Sequence, residues 1–144
     1  MKLTNHVKIN LPAIVGNEGF ARAAVAAFCA SLSPTLEEIN DIKTAVSEAV
    51  TNVIVHAYPD HSGEIDLEGA IYDDQVVTVT VTDQGIGFQD VGQAKKPFFT
   101  TKSTQEHSGM GFTIMEAFMD ELDVRSEPGR GTRILMRKAI KQHA

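Results

Sequence analysis

The sequence contains very little cysteine and no long apolar run, and both absences narrow what the protein is. Its 144 residues include a single cysteine, Cys29, which excludes an internal disulfide framework and a cysteine-based zinc site. No apolar stretch approaches the roughly 20 residues that span a bilayer. Residues 1–7 lack the apolar segment of a secretory signal. We therefore expect a cytoplasmic protein with no membrane partner.

Apolar residues are nevertheless plentiful and spread along the whole chain. Hydrophobic residues make up 42% of the sequence and charged residues 22%. A chain of this length is typical of one domain that buries its own core, because domains contain roughly 100–200 residues. We predict a single domain over residues 1–144.

Negative charge is in excess, but it is unevenly distributed. The formal net charge is −6, whereas residues 125–144 carry six basic residues against Glu127, a local balance of +5. An acidic body repels phosphate backbones, so direct nucleic-acid binding is not expected. The basic segment is either a solvated strand and terminus, which is the commoner case, or a surface that meets an acidic partner.

The spacing of apolar residues predicts an α+β sandwich with helices on one face of the sheet. Strands are predicted at 4–11, 64–72, 75–82, 122–126 and 132–138, and helices at 17–32, 36–57 and 111–120. Thr35 and Glu38 have the spacing of a capping box at the start of the long helix. The elements mix without strict βαβ alternation, which favours the α+β class. Residues 83–108 show no period, which indicates either a functional lid or an element that the pattern does not reveal.

Three polar side chains recur at one-turn spacing on the long helix. Glu48, Asn52 and His56 are at i, i+4 and i+8 and so share a face. Glu48 lies roughly opposite the centre of the apolar stripe, which favours an ordinary solvated face. Asparagine, however, is a poor helix former, and a carboxylate one turn from a carboxamide offers oxygen ligands for Mg²⁺ or a base beside a metal. Both interpretations stay open from the spacing alone, and His56 is either a third polar contact or a structural residue.

An aspartate and two glycines follow the most β-branched strand. The segment Asp83-Gln84-Gly85-Ile86-Gly87 comes directly after residues 76–82, and such a segment is commonly only a turn. In a ligand site, the carboxylate can instead accept a hydrogen bond from the amino group of adenine. The glycines, which lack Cβ, then let a flat ring approach the backbone.

A second glycine cluster opens the last predicted helix. In Ser108-Gly109-Met110-Gly111-Phe112, backbone N–H groups ahead of a helix N-terminus would form an anion site, and a hinge is the alternative. The cluster lacks the Gly-Lys-Ser/Thr of a P-loop and the third glycine of a dinucleotide fingerprint. Protein-kinase catalytic signatures are also absent. If the chain binds ATP, it therefore uses another type of site.

These motifs, taken in order, resemble those of an ATP-binding superfamily. Glu48-xxx-Asn52 on a helix, Asp83-x-Gly85-x-Gly87 after a strand and Gly109-x-Gly111 before a helix are similar to the site shared by gyrase, Hsp90, histidine kinases and MutL. Gly129-Arg130-Gly131-Thr132 matches the closing Gly-x-Gly-Thr of that superfamily. The resemblance implies a two-layer α/β sandwich of the Bergerat type, with a mixed sheet and helices on one face.

The chain is more closely similar to bacterial anti-sigma factors that are also serine kinases, in particular the sporulation anti-sigma F factors. The segments that carry this resemblance are 47–52, 99–102 and 108–116, and it extends over essentially the whole chain. It implies a homodimer that binds ATP with Mg²⁺ and inhibits a sporulation sigma factor. It also implies phosphorylation of a serine on an anti-anti-sigma protein, which releases the sigma factor and so regulates transcription.

The same resemblance implies roles for individual residues. Glu48 would be the catalytic base toward the substrate serine, Asn52 would hold Mg²⁺ against the phosphates, and Asp83 would bind adenine. The other nucleotide contacts that it implies are Gly85, Gly87, Thr100, Thr101, Lys102, Ser108, Gly109, Met110, Gly111, Phe112 and Thr132. Arg22 on the first helix would contact protein partners.

One position departs from this family pattern. These kinases usually place an arginine near the γ-phosphate just before the residue that matches Ser108, and this chain has His107. Histidine is often neutral at pH 7 and makes no bidentate contact, whereas phosphoryl transfer depends on charge stabilisation. Two alternatives therefore stay open: an ATP-gated anti-sigma binding module of the stress-response type with weak kinase activity, and the ATP domain of a histidine kinase. The second is weaker, because the roughly 34 residues before the long helix are too few for a phospho-accepting helical hairpin.

Overall fold

The computed structural model describes residues 1–88 and 110–141. In this part of the chain, five strands and three α-helices are present. The strands are β1 (Leu3–Pro12), β2 (Glu64–Tyr72), β3 (Val76–Asp83), β4 (Glu121–Glu127) and β5 (Gly131–Ala139). The helices are α1 (Asn17–Cys29), α2 (Leu36–Asn52) and α3 (Gly111–Phe118). Each predicted element is found within a few residues of its expected position. The last five residues of the long helix are π-helical, as described below.

The sheet has the strand order β1-β2-β3-β5-β4, and every neighbouring pair in it is antiparallel. The mixed sheet expected from the family resemblance is therefore wrong for the described residues. Short turns join β2 to β3 and β4 to β5, and such turns require antiparallel partners. The chain passes through α3 to the edge strand β4, and β5 then returns between β4 and β3. As a result, β3 and β4 run in the same direction without pairing.

The helices pack on one face of this sheet, which confirms the predicted α+β sandwich. Alternate residues of the central strands point into the core, as Ile65 and Leu67 do on β2 and Val79 and Val81 do on β3. The helices α1 and α2 pack against each other and against β1–β3, while α3 packs against α2 and β4. No helix within residues 1–88 and 110–141 combines the length and apolar character needed to cross a membrane.

The basic segment near the C-terminus lies mainly on β4 and β5. Arg125 and Arg133 are exposed and directly opposite each other in the β4–β5 register, which supports a solvated strand. Lys138 is the exception, because it is buried. Its ammonium donates a 2.8 Å hydrogen bond to the carbonyl oxygen of Phe118 and lies 3.6 Å from the Asp41 carboxylate.

The long helix α2 begins as predicted, and a π-helical segment follows its α-helical part. The Thr35 hydroxyl accepts a 3.1 Å hydrogen bond from the Glu38 N–H, and the Glu38 carboxylate accepts one of 2.9 Å from the Thr35 N–H, so the capping box is confirmed. The α-helical part ends at Asn52, and a π-helical segment follows over Val53–Ala57. The helical segment therefore extends to Ala57 as predicted, but its last five residues are π-helical and not α-helical. Single π-turns inside helices are frequent at functional sites.

Cys29 has the structural role that its apolar neighbours predict. It is fully buried at the end of α1, and burial raises the pKa of its thiol to about 11. A thiol with so high a pKa is almost entirely protonated at neutral pH, and the thiolate is the reactive form.

Candidate functional site

Asp83 is a buried carboxylate at the end of a central strand. Its side chain is only 3% exposed, and burial raises its pKa above the ordinary value, although hydrogen bonds from the backbone of Gly85 and Thr132 act in the opposite direction. The Gly85 N–H donates to Oδ1 at 2.8 Å. A buried carboxylate that keeps acceptor capacity is suited to a ligand that brings its own hydrogen-bond donor.

The two glycines after Asp83 are required by close packing. A Cβ on Gly85 would collide with the carbonyl oxygen of Ala57, at the end of the π-helical segment. Gly87 has a φ of +70°, and a Cβ there would collide with the carbonyl oxygen of Glu127. The glycines therefore let the loop lie between the end of the long helix and the β4–β5 turn.

Thr132 lies beside Asp83, because the two residues are partners in the β3–β5 register. Thr132 is buried, and its hydroxyl is 2.8 Å from that of Ser126 on β4. The Ser126 hydroxyl also accepts a 2.7 Å hydrogen bond from the Phe88 N–H. Ser126 thereby connects the end of the loop after β3 to the same wall of the site.

A pocket opens at this end of the sheet, between the long helix and the strand ends. Its lining residues are Asn52, His56, Ala57, Asp83, Ile86, Gly87, Phe88 and Thr132. Two of the three residues that the spacing placed on one helix face, Asn52 and His56, thus line the same pocket as the loop after β3, which is far away in sequence. Asn52 supplies an amide to the pocket that holds the Asp83 carboxylate, and His56 is buried in its wall.

Glu48 lies one turn before Asn52 and next to the start of α3. A Cβ added to Gly111, the first residue of α3, would lie 3.4 Å from Oε2 of Glu48. A carboxylate beside a helix N-terminus is electrostatically favourable, and the same N–H groups attract a phosphate. The solvated-face interpretation of this helix face is therefore not what the structure shows, because α3 packs against α2 here.

The second glycine cluster lies only partly within the described residues. Met110 is half-buried before α3, and Gly111 is its first residue. Phe112 is buried and packs edge-to-face on Phe88, with ring centroids 5.9 Å apart. The Phe112 side chain thus belongs to the core, and its predicted contact with the nucleotide stays a prediction.

Several residues that the resemblance singled out lie outside the described part of the chain. These are Thr100, Thr101, Lys102, His107, Ser108 and Gly109. Arg22 is described and lies on α1, where its guanidinium is 3.6 Å from the Glu18 carboxylate. Its predicted role in partner binding stays a prediction, as do the individual roles of the nucleotide-site residues.

Tyr58 and Ser126 contribute to the site, but neither was identified from the sequence. Tyr58 falls in the turn cluster after the long helix, and its hydroxyl accepts a 2.8 Å hydrogen bond from the Gln84 N–H. Ser126 has one weak signal, since it is a hydroxyl residue on an otherwise charged and apolar strand. The contacts that connect them to the loop after β3 join residues 26 and 38 positions apart, so local sequence patterns do not reveal them.

Most of the sequence matches a known class of domain. A family model described as Histidine kinase-like ATPase domain matches residues 11–138. This match extends from the end of β1 to the next-to-last residue of β5 and includes every residue that lines the pocket. The class defined by the fold and the site is therefore a histidine kinase-like ATPase domain.

Curated relatives specify the family within this class. The anti-sigma F factor of Caldanaerobacter subterraneus subsp. tengcongensis is 51% identical over 140 residues, which is 97% of this chain and 97% of that relative. The anti-sigma F factor of Clostridium perfringens is 50% identical over 139 residues, which is 96% of this chain and 99% of the relative. The chain belongs to the anti-sigma F factor family of histidine kinase-like ATPase domains.

Solved structures with the same fold include domains of two other proteins. The structure of the RsbU and RsbW domains of a Mycobacterium tuberculosis protein has a TM-score of 0.69 and 24% identity, over 98% of this chain and 33% of that one. The histidine kinase domain of a blue-light activated kinase from Erythrobacter litoralis has a TM-score of 0.58 and 20% identity, over 85% of this chain and 61% of that one. At these identities the likeness shows the fold alone.

Proposed function

We propose that this protein is an ATP-dependent anti-sigma factor that is also a serine kinase. In this proposal it binds and inhibits a sporulation sigma factor, and it uses ATP with Mg²⁺ to phosphorylate a serine of an anti-anti-sigma protein. One observation carries the proposal: the buried carboxylate of Asp83 and the side chain of Asn52 line the same pocket. One side chain is suited to a base with an exocyclic amino group, and the other is suited to a phosphate-bound cation.

We assign adenine recognition to the part of the pocket that is lined by Asp83 and Thr132. The Asp83 carboxylate would accept a hydrogen bond from the exocyclic amino group of the base, at a site from which water is largely excluded. Thr132, which lies beside Asp83 in the sheet register, would contact the same base. Gly87 lines the pocket, and Gly85 would act indirectly, by letting the loop pack against the Ala57 carbonyl.

We assign magnesium binding to the part of the pocket that is lined by Asn52. Mg²⁺ is typically bound by one or two protein oxygens, with substrate phosphates and water completing its octahedral shell. Asn52 offers one amide oxygen, and no group of three His, Cys, Asp or Glu residues suited to a metal is found within residues 1–88 and 110–141. This donor set suits an ion that arrives with ATP, whose charge would neutralise the phosphates.

We assign to Glu48 the role of accepting the proton of the substrate serine. In the proposed reaction, the serine oxygen forms a bond to the γ-phosphorus while the bond from that phosphorus to the β–γ bridging oxygen breaks. ADP leaves, and the serine proton passes to the Glu48 carboxylate. The N-terminus of α3 lies next to Glu48 and would bind the phosphates through its backbone N–H groups.

Sigma-factor binding is inferred from the relatives and from the surface of α1. Anti-sigma F factor is the name carried by relatives of 50–51% identity. The Arg22 side chain is 43% exposed on α1, so its guanidinium is available on the surface of that helix. We assign this surface to a protein partner and propose a cytoplasmic homodimer as the functional state.

The direct test is phosphate transfer in solution. The purified protein is incubated with ATP labelled at the γ-phosphate, Mg²⁺ and a candidate anti-anti-sigma protein. We expect label on a serine of that protein. Glu48→Ala should retain ATP binding and lose at least about 100-fold in transfer rate, as expected for a general base. The control is Glu37→Ala, which removes an exposed carboxylate from the first turn of the same helix. Transfer by Glu48→Ala within threefold of the unmodified protein would contradict the assignment of the base.

A second candidate function is favoured by His107. An ATP-gated module that sequesters a sigma factor but transfers phosphate poorly would result if the missing arginine is essential. Under that alternative, His107→Arg raises the transfer rate while ATP affinity changes little. An unchanged rate would show that another group, such as Lys102, supplies the charge.

A further inference from the structure

One tyrosine hydroxyl connects three parts of the fold near the pocket. Tyr58 directly follows the π-helical segment, and its hydroxyl donates a 2.6 Å hydrogen bond to the carbonyl oxygen of Glu64 at the start of β2. The same hydroxyl accepts a 2.8 Å hydrogen bond from the Gln84 N–H. Gln84 is the residue immediately after Asp83. The hydroxyl thus joins the end of the long helix, the start of β2 and the loop after β3.

The ring of Tyr58 is held so that its hydroxyl reaches this position. It packs against the hydrophobic core and makes an edge-to-face contact with His61, with ring centroids 5.5 Å apart. The other neighbour is Gly63, where an added Cβ would collide with the ring. The direction of the hydroxyl is therefore fixed by packing as well as by its two hydrogen bonds.

Three successive N–H groups of the loop after Asp83 each have a specific acceptor. The Gln84 N–H donates to the Tyr58 hydroxyl, the Gly85 N–H to the Asp83 carboxylate and the Ile86 N–H to the carbonyl oxygen of Ala57 at 2.9 Å. Two of the three acceptors come from the consecutive residues 57 and 58. The end of the long helix therefore fixes the loop on both sides of Gly85.

We propose that Tyr58 is a positioning residue for the nucleotide base, and this inference rests on the proposed binding of ATP in this pocket. By fixing the loop, its hydroxyl keeps the Asp83 carboxylate oriented toward the base without touching the nucleotide. Loss of the hydroxyl lets the loop populate other conformations, and the apparent affinity falls with the fraction of molecules that can bind. The two hydrogen bonds of the hydroxyl are to the backbone of Glu64 and Gln84, and neither residue is proposed to take part in transfer.

The test is Tyr58→Phe, with Tyr72→Phe as the matched control. The chain has two tyrosines, and the hydroxyl of Tyr72 makes no hydrogen bond to any residue that the structure describes. We expect Tyr58→Phe to weaken ATP binding about five- to tenfold, in line with the loss of one hydrogen-bonding group. The KM for ATP should rise by the same factor while kcat stays within about twofold. A purely structural role would instead lower thermal stability and leave the affinity of the folded protein unchanged.

Hydrogen exchange separates failure of this inference from failure of the proposed function. In the nucleotide-free protein, Tyr58→Phe should speed amide exchange at Gln84 at least about tenfold, and Tyr72→Phe should not. Gly63→Ala should reproduce both effects, because the new methyl group displaces the ring. Unchanged exchange at Gln84, or ATP affinity within twofold of the unmodified protein, would overturn the role of Tyr58. Faster exchange in a protein that binds no ATP would instead overturn the proposed function and, with it, the role in base binding.

Discussion

The replacement Asp83→Asn tests the adenine end of the pocket with almost no change of shape. Two backbone N–H groups, from Gly85 and Thr132, already donate to the Asp83 carboxylate, and the amino group of adenine would be a third donor. A carboxylate has two acceptor oxygens, whereas a carboxamide has one oxygen and an NH₂ group. In the variant, the NH₂ group of the carboxamide therefore faces one of these three N–H groups, and that N–H group has no acceptor.

The size of this effect follows from the burial of the group. A hydrogen bond to a charged acceptor contributes about 1.5–3 kcal/mol. Asp83 is 3% exposed, so water is not available to replace the lost acceptor. A total loss of about 3 kcal/mol corresponds to an increase in Kd of at least about 100-fold, since each 1.4 kcal/mol is tenfold.

The assay is an equilibrium titration with ATP, by calorimetry or with a fluorescent analogue. The control is Asp74→Asn, which makes the same chemical change at an exposed position in the β2–β3 turn. It should bind ATP like the unmodified protein. If Asp83→Asn retains an affinity within threefold of the unmodified protein, the base does not bind at this carboxylate and the reasoning is refuted.

The raised pKa of Asp83 gives the same residue a pH dependence. Burial raises the pKa above that of an ordinary aspartate, so acidification protonates this acceptor before ordinary carboxylates are protonated. ATP affinity should therefore decrease as the pH falls through this pKa, and Asp83→Asn should lack that component. For stability the sign is opposite. A carboxyl group whose folded-state pKa is raised stabilises the fold at low pH, and this contribution is lost as the pH rises through the folded-state pKa.

Three further experiments test the packing of the loop after β3, the cap of α2 and the burial of Cys29. Gly85→Ala should lower the free energy of unfolding by about 1–3 kcal/mol and weaken ATP binding, because its Cβ collides with the Ala57 carbonyl. The free energy of unfolding is measured by urea titration. The control is Gly16→Ala, because a Cβ on Gly16 meets no atom within 4 Å. Thr35→Ala should lower the unfolding free energy by about 1 kcal/mol through loss of the helix cap, and no shift of the urea midpoint would contradict that. Cys29, with a pKa of about 11, should resist alkylation at pH 8 until the protein is unfolded, whereas rapid labelling of the folded protein would contradict its burial.

Much of the fold could be predicted because its elements obey local rules. The alternation of apolar residues locates β2 and β3, and the Thr35–Glu38 pair locates the start of α2. The π-helical form of Val53–Ala57 could not be predicted. In this form the Ala57 carbonyl oxygen accepts a hydrogen bond from the Ile86 N–H. That hydrogen bond joins residues whose relation is set by the tertiary fold, and no local pattern encodes it.

The candidate site divides in the same way between local and long-range information. Asp83 and Asn52 could be identified because their motifs combine residue type with a strand end or a helix face. Tyr58 could not, since its hydroxyl acts on Gln84, 26 residues further along the chain. The antiparallel sheet was also missed, because the insertion of β5 between β3 and β4 is a property of the whole topology and not of any one strand.

The most direct test of the proposed site is a crystal structure with a non-hydrolysable ATP analogue and Mg²⁺. The proposed function predicts the amino group of adenine about 3 Å from the Asp83 carboxylate, with the phosphates extending along α2 and the metal ion bound by the amide oxygen of Asn52. A nucleotide bound elsewhere, or a base whose amino group faces away from Asp83, would contradict it.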